Sequence, residues 1–259
     1  MQMWFARKMV SAEVLKLRRN RGQYLTALIL TVGVAVVYFA VVEGFHLYNS
    51  ASHGPAGGAS NFANAINVLT FIGSTAAIII GARAGSIDQS TGVFRDQVAT
   101  GRSRAALFGA RVAGSVLFFL PFILVALGVT VVATLALHGN LANPTASTIL
   151  SNSAVTIAVT LFNLLLALGF ASLTLSRSIT VGVLLVWTLF AQRLIVNITV
   201  LGSIRKGIPL VAQHALHAVR GGPFATSISE SFTVGVIVLL AWSVAALAVG
   251  AWRTMTMDA

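Results

Sequence analysis

Cysteine is absent from the chain, which excludes disulfides, thiolate catalysis and cysteine-ligated metals. Charge is nearly as scarce. Only 9% of the 259 residues are charged, against roughly a quarter in a soluble domain whose surface must face water. Acidic side chains number six, and none lies inside an apolar run. No Gly-Lys-Ser or Gly-Lys-Thr occurs, so the chain lacks the G-x-x-x-x-G-K-[ST] loop that cradles nucleotide phosphates. Any ATP this protein uses must be hydrolysed by another polypeptide.

What remains is apolar: 57% of residues are hydrophobic and the mean hydropathy is +0.89. These residues fall in long unbroken runs, which implies a membrane protein. A net charge of +11 would suit a nucleic-acid binder only if it formed a basic face on a soluble fold. Here the basic residues sit between apolar runs, so nucleic acid is not expected as a partner. The excess of 14 Arg over 3 Lys, with abundant Ala, Val and Gly, is compatible with a GC-rich bacterial genome.

A hydrocarbon core about 30 Å thick needs roughly 20 apolar residues at 1.5 Å rise each. Six stretches meet this: 23–42, 62–82, 112–137, 155–175, 179–198 and 232–252. The expected fold is therefore all-α, a single polytopic transmembrane domain over 1–259. Pro121 predicts a kink in the third span. The second span is the most polar, with Asn64, Asn67, Thr70, Ser74 and Thr75 in its outer half. The fourth and fifth, separated by Ser176, Arg177 and Ser178, predict a tight helical hairpin.

Basic residues mark the cytoplasmic connections. Thirteen of the 17 lie before span one, between spans two and three, after span four, or at the C-terminus. The opposite side holds Arg205, Lys206 and Arg220, while Arg193 falls within span five. Both termini are thus expected in the cytoplasm of a bacterial plasma membrane. The first apolar run is too long for a signal peptide and is read as an uncleaved anchor.

Two segments on the basic side could carry function. In residues 1–21, Met3, Ala6, Val10, Val14 and Leu17 recur at helical spacing among six basic residues. An amphipathic elbow helix on the cytoplasmic leaflet fits; so does a basic flank that fixes topology alone. Residues 83–111 form a 29-residue segment with Asp88 and Asp96 among five arginines. Gly101 followed by Ser103 marks a helix stop and a new N-cap. Two short helices broken at Gly101 would make a rigid cytoplasmic knob; the alternative is a solvated basic loop.

An acidic residue after the second span, then a Gly, then a short helix ending in a Gly–Ser–Arg turn resembles the ABC-2 type transporter permease family. The residues are Asp88, Gly92, Gly101, Ser103 and Arg104. Glu13, Lys16, Arg18 and Arg19 resemble that family's opening, and six spans with both ends inside match it over nearly the whole length. The family more often has Glu at the position of Asp88. The resemblance implies a permease that pairs with a second copy or paralogue, each half docking an ATP-binding cassette subunit. The elbow and a coupling helix around Asp88, Gly92, Arg95, Gly101, Arg102, Ser103 and Arg104 would form that contact. ATP and Mg would reside in the partner, no cofactor in this chain, and the cargo would be a hydrophobic or amphipathic compound for export.

Within the spans, Gln192, Arg193 and Asn197 could line a substrate path or dimer interface, or Arg193 could snorkel about 7 Å to the outer surface. Asn163 suits a helix–helix hydrogen bond better than a substrate contact. Between Pro209 and Gly221, residues 210–219 predict a short interfacial or re-entrant helix, read as a wet surface helix rather than a metal site built on His214 and His217. Gly81 and Gly85 have a spacing suited to close helix packing, which chance also supplies in so Gly-rich a chain. A stand-alone carrier would place carboxylates at the membrane midplane, and the spans hold none. For a membrane-embedded enzyme, Glu43 and His138 are the candidates, too sparse for a triad, and no catalytic activity is expected.

Overall fold

The computed structural model describes residues 2–99, 101–216 and 226–257. Among them there is no strand. Ten helical elements can be followed: α1 (Gln2–Arg19), α2 (Arg21–Tyr48), α3 (Gly58–Ser90), α4 (Val93–Ala99), α5 (Arg104–Ala136), α6 (Ala146–Thr174), α7 (Arg177–Val196), a 3₁₀ segment (Thr199–Gly207), α8 (Pro209–Leu216) and α9 (Phe232–Thr256). Six of these (α2, α3, α5, α6, α7 and α9) are long and apolar enough to cross a membrane.

The helices outrun the apolar stretches that signal them. The third span begins at Arg104 rather than at residue 112, and the second continues to Ser90. Hydropathy reports the length in contact with hydrocarbon, whereas a helix continues until a cap or breaker stops it. The 83–111 segment consequently shrinks to a connection between Ser90 and Arg104. The break at Gly101 is present, but the second short helix is the first two turns of α5. That helix runs on through Pro121 without interruption. Single π turns widen α2 at Ile29–Gly33 and α7 at Trp187–Ala191.

The most polar span is the most buried. In α3, 72% of the apolar window is buried and in α6 67%, against 17% in α9. The seam between these two helices explains the polar residues. The hydroxyls of Thr70 and Thr156 lie 2.9 Å apart. The Asn163 amide donates to Ser74 Oγ at 3.2 Å, and Ser172 Oγ donates to the Gly85 carbonyl at 3.2 Å. Each such bond contributes about 0.6 kcal/mol in a bilayer. Gly81 and Gly85 face α6 so closely that a Cβ would stand 2.3 and 2.4 Å from the Leu164 and Leu168 carbonyl oxygens. On another face of α6, a Cβ at Gly169 would meet the Ala246 carbonyl of α9 at 2.3 Å.

Helix ends follow local chemistry. Asn20 separates α1 from α2, and its side chain accepts from Gln23 N. Leu175, at φ +56°, and Ser176, whose hydroxyl caps α7, close the α6–α7 hairpin. At the far end α8 is not a wet surface helix. Its residues Pro209 to Gln213 are buried, packed beside α9, where a Cβ on Gly235 would strike Leu216. His217 and the Gly221–Gly222–Pro223 breaker lie outside the described residues.

Candidate functional site: a charge cluster joining three helices

Asp88 sits in the last turn of α3 with its side chain 3% exposed. Its Oδ1 and Oδ2 accept from Lys16 Nζ at 2.9 and 3.0 Å. Oδ2 also accepts from Arg111 Nη2 at 3.2 Å. Lys16 pairs in turn with Glu13, one turn earlier on α1. One carboxylate therefore joins α1, the end of α3 and the start of α5. Arg111 is the largest fully buried side chain among the described residues, 1% exposed. Its Nε and Nη1 find no hydrogen-bond partner there, so Asp88 supplies its compensating charge. Without a counter-ion, a guanidinium in this position would carry several kcal/mol of desolvation.

Close packing brings α1 into reach. Its Val10–Val14–Leu17 stripe lies on α5, where a Cβ at Gly114 would stand 2.5 Å from Glu13 Cβ. The side chains of α1 are described from Arg7 onward, so the Met3 and Ala6 part of the predicted stripe lies outside them. Arg18 and Arg19, beyond the cluster, are exposed.

The connection that follows is rigidly punctuated. Gly92 and Gly101 adopt φ of +76° and +78°, conformations that side chains with a Cβ disfavour. Between them α4 buries Phe94 and exposes Arg95 and Asp96. Arg102 is exposed, and the Ser103 hydroxyl caps α5 by accepting from Ala106 N at 3.2 Å. Arg104 turns elsewhere. Its Nη1 donates to the Met255 carbonyl at 3.0 Å and to that of Met257, at the C-terminal end of α9.

These contacts collect the basic connections at one end of the bundle. Lys16 reaches Asp88, Arg104 reaches the end of α9, and Ser172 brings the α6–α7 turn beside Gly85. N- and C-terminal helices therefore share that end. Loops of the opposite end find one another: Gly57 N donates to the Leu137 carbonyl, and Lys206 lies 2.6 Å from Glu230.

The intramembrane polar residues are placed apart from the cluster. Asn163 binds Ser74 across the α3–α6 seam. Gln192, 3% exposed, accepts from Leu210 N at 2.7 Å and so caps α8. Arg193, on α7, and Asn197, just past its end, are exposed, the latter donating to the Arg193 carbonyl. Glu43 accepts from Ala56 N at 3.0 Å, and His138 bonds the Leu135 carbonyl. Among the described residues no three His or acidic side chains gather as a metal site would require.

Sequence reading singled out Asp88, Lys16 and Glu13 but counted Arg111 only as a topology charge. The signal that could have found it is position. Arg111 is the last arginine before the third apolar run and Asp88 the first acid after the second, so the two lie on the helix ends that flank one connection. No family model matches the chain, and no curated protein matches it.

Proposed function

We propose that this chain is the membrane-spanning permease subunit of an ATP-powered exporter of the ABC-2 type. The observation that carries the reading is the Asp88 cluster. A short helix, held by Phe94 between two left-handed glycines, follows directly on the last turn of α3, whose buried carboxylate ties α3 to α1 and α5. A soluble motor that pushes on α4 would, through this linkage, move α1 and the two membrane helices α3 and α5 together. In this reading the basic end faces the cytoplasm, α1 is the elbow and α4 the coupling helix. ATP and Mg belong to the partner, and a second permease completes the translocation path for a hydrophobic or amphipathic cargo.

The test is co-purification with an ATP-binding subunit encoded beside this chain. Arg95→Glu with Arg102→Glu, both exposed, should abolish co-purification or uncouple ATP hydrolysis from transport while insertion is unchanged. Wild-type association and transport in that variant would remove α4 as the docking element. Arg104 is the wrong residue to test this, because it holds the end of α9.

A further inference from the structure

An apolar groove of 440 Å³ runs between α1, α2 and α5, from Val14 and Arg18 on α1 along the two spans to Val32 and Val125. Its aromatic side is built by Tyr24, Phe118 and Phe122. Tyr24 meets Phe122 edge-on at 5.2 Å, and Phe118 lies 5.4 Å from Phe122. Leu28 and Val32 from α2 face Pro121 and Val125 from α5 across its length. Leu117 and Val125 are 53% and 54% exposed, so the groove opens sideways to the surroundings of the bundle.

Its mouth is basic. A second space of 360 Å³ is lined by Arg18, Arg21, Tyr24 and Leu25, sharing Arg18 and Tyr24 with the first. Arg18 and Arg21 are exposed and make no ion pair with any described residue. Two unpaired guanidinium groups at the entrance to a lipid-depth apolar groove match an anionic headgroup followed by an acyl chain.

Other occupants fit less well. A second copy of this chain would have to bring carboxylates. Of its six acids, Glu13 and Asp88 are committed to the cluster, Glu43 to the Ala56 amide and Glu230 to Lys206; Asp96, exposed on the short α4, could meet an arginine but brings no apolar chain to fill the groove. A soluble partner could reach the arginines but not the groove, which continues past Leu28 to Val32 inside a membrane span. Phosphodiester and acyl chain together are what a membrane supplies.

We propose that Arg18 and Arg21 bind the phosphate of an anionic phospholipid whose acyl chain fills the groove between α2 and α5. This site is independent of any transport role and requires only that the chain be embedded in a bilayer. The bound lipid would seal the entrance where α1 gives way to α2 at Asn20.

Native mass spectrometry of the full chain in detergent, titrated with palmitoyl-oleoyl phosphatidylglycerol or the matching phosphatidylcholine, tests the site. The wild type should retain one phosphatidylglycerol with at least ten-fold preference. Arg18→Gln with Arg21→Gln should reduce retention to the phosphatidylcholine level, whereas Arg95→Gln with Arg253→Gln, equal in charge removed, should not. Leu117→Trp keeps both arginines and alters an exposed position, so it remains informative if the double variant does not survive purification. It should block the acyl chain and lower retention of both lipids. No phosphatidylglycerol preference in the wild type, undiminished preference in the Arg18/Arg21 variant, an equal loss in the Arg95/Arg253 control, or an indifferent Leu117→Trp would each overturn the proposal.

Discussion

Arg111 and Asp88 show how one pair can dominate a membrane helix junction. Asp88→Asn would leave Arg111 buried without a counter-ion, a change worth about 3–5 kcal/mol of destabilisation. Replacing both partners, Asp88→Leu with Arg111→Met, removes the stranded charge as well as the pair and should recover most of that loss. Lys16, partly exposed, can turn to Glu13 when Asp88 is gone. Thermal melts of the detergent-solubilised variants would test this; equal losses in the single and double variants would contradict it. Glycine offers a second residue-scale contrast. Gly81→Ala must push a Cβ against the Leu164 carbonyl and should lower the melting temperature. Gly128→Ala meets open space within a helix and should be neutral or stabilise by up to about 1 kcal/mol.

Among the elements, the six spans were legible because nothing but membrane helices needs unbroken apolar runs of that length. Their ends were not, because helix length beyond hydrocarbon is set by caps such as Ser103 and by left-handed residues such as Gly92. The polar stretch from Asn64 to Thr75 weakened the second span as a sequence signal. The same composition marks it as an inner helix, whose Thr70 and Ser74 side chains bond α6. The Gly81–Gly85 spacing had no weight in a sequence with 23 glycines until the facing carbonyls were known. Arg104 illustrates the limit for the site. Sequence placed it with the exposed arginines of the knob, but only tertiary structure puts a guanidinium at the last carbonyls of α9. Arg104→Gln should loosen that end by about 1 kcal/mol, seen as faster hydrogen exchange after Gly250 with α4 unaffected. Unchanged exchange there would deny the capping role.

For the whole molecule, the arrangement is a buried pair, α3 and α6, wrapped by more exposed spans, with basic connections gathered at one end. Charge asymmetry along the chain and the contacts of Lys16, Asp88 and Arg104 point to the same end by separate routes. The proposed motor contact and the proposed lipid site both occupy it: α4 for the former, the α1–α2 corner for the latter. They are separable, since substitutions at Arg95 and Arg102 address one and those at Arg18 and Arg21 the other. The natural absence of cysteine permits a direct measurement of which side this end faces. Single cysteines at Ser103 and Ser52, both exposed and at opposite ends of the bundle, can be treated with a membrane-impermeant maleimide on intact cells. Ser52→Cys should be modified directly, and Ser103→Cys only after the membrane is opened. Modification of Ser103→Cys from outside intact cells would contradict it.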